Sequence, residues 1–201
     1  LNAYHGDASA AIIKDGKLIA AVEEERFLRV KHWAGFPAKS IQYCLDEVGC
    51  GLSDIDTIAI NSDPKANLFK KVAHVLRHGS PMELIRDRLR NASSRNSLDS
   101  NLREAFPNQE FKGNIHAVEH HLSHLSSAFH VSPFQEASIV SVDGFGDFAS
   151  GSWGLGSGAN IQVEGQIHYP HSLGAFYQAI TQYIGFPNYG DEYKVMGLAP
   201  Y

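Results

Sequence analysis

The tetrapeptide Lys14-Asp15-Gly16-Lys17 constrains this chain more than any other short stretch, because apolar runs flank it on both sides. A two-residue Asp-Gly connection favours a type I′ turn, with positive φ at both central residues and a twist that matches paired strands. Residues 10–13 and 18–22 are therefore predicted to form an antiparallel hairpin, preceded by a strand that ends at Asn2. Pro37 suits a first helical turn. Ile41, Cys44, Leu45 and Val48 follow at helical spacing, and Gly49 is placed to cap the end. Residues 55–60 read as a buried strand. Strand, hairpin, helix, strand is the order of an α/β fold.

The middle of the chain differs in character. Residues 65–106 are predicted to be a helical insertion, with one apolar stripe at Leu68, Val72, Val75 and Leu76 and a second beginning at Leu84, Ile85 and Leu89. Nine Lys and Arg side chains lie between Lys65 and Arg103, against the acids Glu83, Asp87 and Asp99. Such a segment is either a solvated surface or a contact for an anionic partner. Strand signals return at 115–118, a helix at 120–131 and an apolar strand at 137–142 that ends in Asp143-Gly144. Residues 147–156 and 160–167 alternate as further strands with glycines at the turns. Ser172 is placed to cap a helix running to 184, which carries Leu173, Phe176, Ile180 and Ile184.

Bulk properties narrow the classes. With 201 residues, 43% hydrophobic and 19% charged, the chain can bury a real core. A net charge of −5 argues against a dedicated nucleic-acid binder. Two cysteines make no disulfide framework, so a reducing, cytoplasmic setting is expected. No apolar run reaches the ~18–20 residues of a membrane span. The opening Leu1-Asn2-Ala3 and the closing Met196-Gly197-Leu198-Ala199-Pro200-Tyr201 both read as ordered segments cut short, the signature of a piece of something longer.

Chemistry concentrates in Glu119-His120-His121-Leu122-Ser123-His124-Leu125, and five of the eleven histidines fall between 116 and 130. On a helix, His120 and His124 share a face, a spacing that lets two imidazoles reach one metal ion. His121 lies nearer the apolar side marked by Leu122, Leu125 and Phe129. Asp143 opens Asp143-Gly144-Phe145-Gly146-Asp147. An acid at a strand end followed by glycines suits a metal–phosphate site, in which Gly144 and Gly146 let the backbone approach a nucleotide; a tight turn capped by its own acid is the other reading. His5-Gly6-Asp7-Ala8-Ser9 is a similar element at the start, and the two together suggest a duplicated architecture with a nucleotide between lobes. Arg26, Arg29, Lys31 and His32 form a cationic cluster that either binds an anionic group or is a solvated loop. Asp191, Glu192 and Lys194 read as a binding loop or as the acidic start of a helix.

The set of motifs resembles the NodU/CmcH type of O-carbamoyltransferase. Five segments carry the resemblance in order across nearly the whole chain: Tyr4 to Ala11, Glu23 to Phe27 with Lys31-His32, His120 to His124, Val142 to Gly146, and Asp191 to Ala199. It implies an actin/Hsp70/sugar-kinase-like (ribonuclease H-like) mixed sheet flanked by helices. Residues 1–201 would then be a fragment of the amino-terminal carbamoyltransferase domain of a longer enzyme whose carboxy-terminal domain is YrdC-like. It implies transfer of a carbamoyl group from carbamoyl phosphate, via an ATP-derived carbamoyladenylate, to a hydroxyl of a small-molecule acceptor, and it expects the fragment alone to be inactive. It assigns His120, His124 and Asp143 to a divalent metal, with iron implied and a further aspartate ligand beyond residue 201. Lys31 matches a lysine near the acceptor. The family's histidine stands directly before the first aspartate, whereas here His5 is separated from Asp7 by Gly6; His5 or Asp7 would accept the hydroxyl proton. Two other readings share the fold. One is a tRNA threonylcarbamoyl transferase, to which the basic 65–103 stretch lends itself. The other is a non-enzymatic actin/Hsp70-like nucleotide-binding protein.

Overall fold

The computed structural model describes residues 1–78 and 94–201. The second apolar stripe expected of the insertion, at Leu84, Ile85 and Leu89, lies outside the described residues. The chain divides into two compact units, residues 1–64 with 74–118 and residues 65–73 with 119–201.

In the first unit, β1 (Ser9–Lys14) and β2 (Lys17–Glu23) form the predicted antiparallel hairpin. Asp15 and Gly16 have φ of 51° and 74°, the pair of positive values a type I′ turn demands. The strand expected before the hairpin is reduced to one antiparallel bridge between Asn2 and Ser9. Leu1 in turn bonds β3 (Thr57–Ile60): its amino group donates to the Ala59 carbonyl at 2.6 Å, and the Asn61 N–H donates to the Leu1 carbonyl at 3.3 Å. β3 pairs in parallel with β4 (Asn114–Ala117), Thr57 opposite Asn114 and Ile60 opposite Ala117. The ladder thus runs β2, β1, the first two residues, β3, β4.

A short α1 (Glu25–Leu28) follows the hairpin, and α2 (Ala38–Val48) packs on β1 and β2. The start of α2 is satisfied by Glu24, a buried carboxylate fourteen residues upstream of the helix. It accepts the Lys39 N–H at 3.1 Å, the Ser40 N–H at 2.7 Å and the Ser40 hydroxyl at 2.8 Å. Gly49, at φ 70°, closes the other end as predicted. Ile41, Cys44 and Leu45 bury the stripe read from the sequence, against Ala10, Leu52, Ile58 and Ile60. Leu98, Leu102 and Phe106 join this core from α4 (Ser94–Ala105) and its end. Each fully buried Leu or Phe contributes ~1.5–3 kcal/mol. The preceding helix, α3 (Leu68–His78), behaves differently: Leu68, Phe69, Val72 and Leu76 stay exposed.

The second unit is built on an antiparallel meander of β5 (Glu136–Gly146), β6 (Ala149–Ser157) and β7 (Asn160–His168). α5 (His120–Phe129) covers one face through Leu125 and Phe129 against Ile139. Gly156 leaves room for the Phe129 ring, which would stand 2.7 Å from a Cβ. α6 (Leu173–Tyr183) packs on β5, and α7 (Glu192–Leu198) follows. The Ser172 hydroxyl accepts the Ala175 N–H at 2.9 Å, the predicted cap. The apolar stripe of α6 is not core: Leu173, Phe176, Ile180 and Ile184 are exposed. Asp191 and Glu192 stand at the head of α7, so this polar stretch is a helix start rather than an open loop.

Two local expectations are corrected. Asp143 does not end a strand. It lies inside β5 where Val142 pairs with Gly151 and Gly146 with Ala149, so residues 143–145 oppose the single residue Ser150. Such a bulge bends the strand and re-aims its side chains. Nor do glycines form the turn from β5 to β6: Asp147 and Phe148 take it at φ 48° and 75°. Tertiary contacts sustain that conformation. The Asp147 carboxylate accepts the His120 N–H at 3.0 Å, its carbonyl accepts the Asn67 side-chain amide at 3.1 Å, and the Phe148 ring is buried beside Tyr169.

Candidate metal centre

Two acids hold the first turn of α5. The Glu119 carboxylate accepts the Leu122 N–H at 2.7 Å and Asp147 accepts the His120 N–H at 3.0 Å, which satisfies two of the orphan donors of a helix start. With that turn rigid, His120 and His124 rise on one face with ring centroids 4.7 Å apart. The register between α5 and β5 is set one residue away: buried His121 bonds through Nδ1 to the Ser141 hydroxyl at 2.8 Å. Burial pushes the His121 imidazole below its ordinary pKa, so it is neutral and structural. His121 thus faces the core, as the helical wheel indicated.

Asp143, two residues past Ser141 and turned by the bulge, meets the pair. Its Oδ2 lies 2.8 Å from His120 Nε2 and 3.4 Å from His124 Nε2, and the two Nε2 atoms are 3.0 Å apart. The backbone beneath is braced from α6. The Ser172 hydroxyl donates to the Gly144 carbonyl at 2.7 Å, and Gly174 comes so close that a Cβ there would lie 2.5 Å from the Asp143 carbonyl group. Hydrogen bonds from His120 first, then from His124 and the Gly144 N–H, hold the Asp143 carboxyl well below the usual carboxylate range against the opposing effect of burial. His120 is buried, while His124 and Asp143 are 47% and 37% exposed, so the cluster opens to solvent on one side.

Donor chemistry provides a test of fit. Nitrogen and oxygen ligands sit about 2.0–2.2 Å from a first-row divalent ion, which places neighbouring donors about 3 Å apart. The three observed separations bracket that value. Two imidazoles and one carboxylate are also a ligand set that non-haem iron and related ions accept. Among the described residues this is the one group of three or more His, Cys, Asp or Glu side chains with its ligand atoms within 4.8 Å of one another.

The glycines of the motif separate into two roles. A Cβ at Gly146 would lie 2.0 Å from His120 Cδ2, so the imidazole fills the space a side chain would need there. Gly144 has nothing within 4 Å of a Cβ and remains the open position. His5, Asp7 and Lys31 belong to the first unit, in two adjoining loops joined by the Ala8 N–H donating to the Trp33 carbonyl. There, Asp7 Oδ1 lies 3.0 Å from His32 Nδ1. Sequence reasoning gave no role in supporting the site to Glu119, Asp147 or Gly174, and it read Ser172 as a helix cap alone. An acid directly before a predicted helix was a readable sign for Glu119; Gly174 and Asp147 act through contacts distant in sequence and carried no local sign.

Comparison with known proteins then places the chain. The family model described as "Carbamoyltransferase N-terminus" matches residues 1–201. The chain is 40% identical over 200 residues to the nodulation protein NolNO of Sinorhizobium fredii, covering all of this chain and 28% of that protein. It is 37% identical over 217 residues to an uncharacterized Synechocystis protein, sll1178, covering all of this chain and 34% of the relative. An uncharacterized Methanocaldococcus jannaschii protein, MJ1051, is 31% identical over 97% of this chain and 31% of its own length. The chain therefore spans about a third of the length of the curated relatives it matches. A match that runs from the first residue to the last, through every motif of the site, makes this chain a member of the carbamoyltransferase N-terminus family.

Proposed function

We propose that the protein containing this chain transfers a carbamoyl group from carbamoyl phosphate, by way of an ATP-derived carbamoyladenylate, to a hydroxyl of a small-molecule acceptor. The observation that carries the reading is the convergence of His120, His124 and Asp143 inside a chain of this family. In this reading the three side chains hold a divalent metal, iron, which when bound neutralises phosphate charge on the leaving group. His120 and His124 present Nε2, and Asp143 presents Oδ2. Gly144, open above the bulge, lets the backbone approach the nucleotide. Asp7, or His5 beside it, takes the acceptor's hydroxyl proton as oxygen attacks the carbamoyl carbon and AMP departs. Lys31 orients the acceptor. The ladder order of the first unit, with an antiparallel hairpin, a helix and then parallel strands, supports an actin/Hsp70-like architecture, and the meander followed by α6 in the second unit supports its duplication.

The test is the His120→Ala/His124→Ala double substitution in the full-length protein. Bound metal and carbamoyl transfer are expected to be lost, while formation of carbamoyladenylate from carbamoyl phosphate and ATP continues. Equal loss of both half-reactions in a folded variant, or transfer that survives without metal, would refute the reading.

A further inference from the structure

The loops at residues 4–7 and 29–35 hold Asp7 against His32, a residue to which the reaction above gives no role. Of the eight non-glycine residues with positive φ among the described residues, four lie here: Tyr4, Asp7, Arg29 and His32, at 66°, 61°, 59° and 55°. Left-handed backbone at non-glycine residues is disfavoured and persists where surrounding contacts impose it. Here the contacts are explicit. The Ala8 N–H donates to the Trp33 carbonyl at 2.9 Å and the Tyr4 N–H to the Gly35 carbonyl at 3.3 Å. The Asn2 amide holds the Gly6 and Asp7 carbonyls at 3.2 and 2.9 Å, and the Asn101 amide donates to the Tyr4 hydroxyl at 2.7 Å.

Because those bonds already join the loops, the contact between His32 Nδ1 and Asp7 Oδ1 at 3.0 Å is not needed to hold them together. What it does is fix one carboxylate. The two side chains are 34% and 48% exposed, so a small molecule can reach them. An ionised carboxylate only accepts hydrogen bonds, so Nδ1 donates. Oδ1 is thereby occupied, and Oδ2 takes no hydrogen bond from any described residue.

We propose that His32 is a positioning residue that holds the Asp7 carboxylate for the acceptor hydroxyl, a role that rests on the carbamoyl-transfer reading. Asp7 Oδ2 takes the hydroxyl proton. The acceptor's O–H bond breaks, its oxygen bonds to the carbamoyl carbon, and the bond from that carbon to the adenylate phosphate oxygen breaks, the electron pair leaving with AMP. His32 keeps its own proton throughout and supplies orientation alone.

Two substitutions in the full-length protein separate this from other roles. His32→Gly tolerates the left-handed backbone but deletes the donor. His32→Asn also tolerates it and keeps an amide donor near the place of Nδ1. The glycine variant is expected to lower kcat for transfer roughly 10- to 100-fold, the scale for losing a partner that orients a reacting group, with carbamoyladenylate formation and the far-UV spectrum unchanged. The asparagine variant is expected to restore most of the rate. Wild-type rates in the glycine variant would overturn the proposal. So would an asparagine variant as slow as glycine, which would make His32 itself the proton acceptor, or a glycine variant that unfolds, which would make the contact structural. If the wild-type protein forms no carbamoylated product at all, the reading beneath the proposal fails, and that result is distinct from each of the others.

Discussion

Gly146→Ala isolates the geometry on which the metal reading depends. The glycine has ordinary negative-side backbone, so alanine meets no conformational penalty there, and only space is at issue. A Cβ would stand 2.0 Å from His120 Cδ2 and 2.1 Å from Cγ, both far inside contact distance. The obstacle is no flexible side-chain tip. It is the buried imidazole of His120, the first residue of α5, whose backbone N–H donates to the Asp147 carboxylate. Either the ring leaves the cluster or the β5 bulge gives way, and forced overpacking of this kind costs about 1–3 kcal/mol. Displacing one of three ligands is expected to cost considerably more at the metal site than in the fold, with an affinity loss of at least the 10- to 100-fold seen for outer partners. Gly144→Ala is the internal control: two residues away, with nothing within 4 Å of the new methyl, it is expected to change stability by less than about 0.5 kcal/mol. Iron affinity by chelator competition and stability by urea unfolding of the full-length protein measure both effects. If Gly146→Ala binds metal as the wild type does, or if Gly144→Ala does equal damage, the assignment of His120 as a ligand held by that close approach is wrong.

Glu24→Ala removes three hydrogen bonds to a buried carboxylate at the start of α2; a loss of about 2–3 kcal/mol is expected, with Glu24→Gln milder, and urea unfolding of both variants checks it. Ser172→Ala strips the cap of α6 and the brace to Gly144, for about 1 kcal/mol and a measurable fall in metal affinity; unchanged affinity would remove α6 from the support of the site. Stability should depend on pH through His121. Burial lowers its folded pKa below the unfolded value near 6.5, so the unfolded chain binds the extra proton; the contribution is whole above about pH 6.5 and is lost at up to ~1.4 kcal/mol per pH unit as pH falls below it. His168, lowered by burial and by Lys70, acts in the same direction. Asp143, whose folded pKa is also depressed, adds its loss only below about pH 4. Urea unfolding that is flat between pH 5 and 7 would contradict this.

Much of the local architecture was legible because its causes are local. The Asp15-Gly16 turn, the buried stripe of α2, the Gly49 and Ser172 caps and the shared face of His120 and His124 follow from turn chemistry and from 3.6-residue periodicity, which act over a few residues. Where the reading slipped, the cause came from further away. The exposed stripes on α3 and α6 show that periodicity marks an apolar face without saying what covers it. The run from Asp143 to Asp147 looked like a strand end with a glycine turn; it is a bulge followed by a left-handed Asp-Phe turn, because contacts from His120, Asn67 and Tyr169 outweigh intrinsic preference.

From its residue order alone, then, this chain carries the α/β alternation, the helix that pairs two imidazoles and the motif set of its family. Tertiary structure decided that a carboxylate nineteen residues beyond His124 meets that pair, that Gly146 makes room for the His120 imidazole, and that a distant glutamate starts α2. The reason is one of range: hydrogen-bonding periodicity is encoded in neighbours, whereas the convergence of side chains from separate elements depends on registers and bulges set by packing across the whole unit.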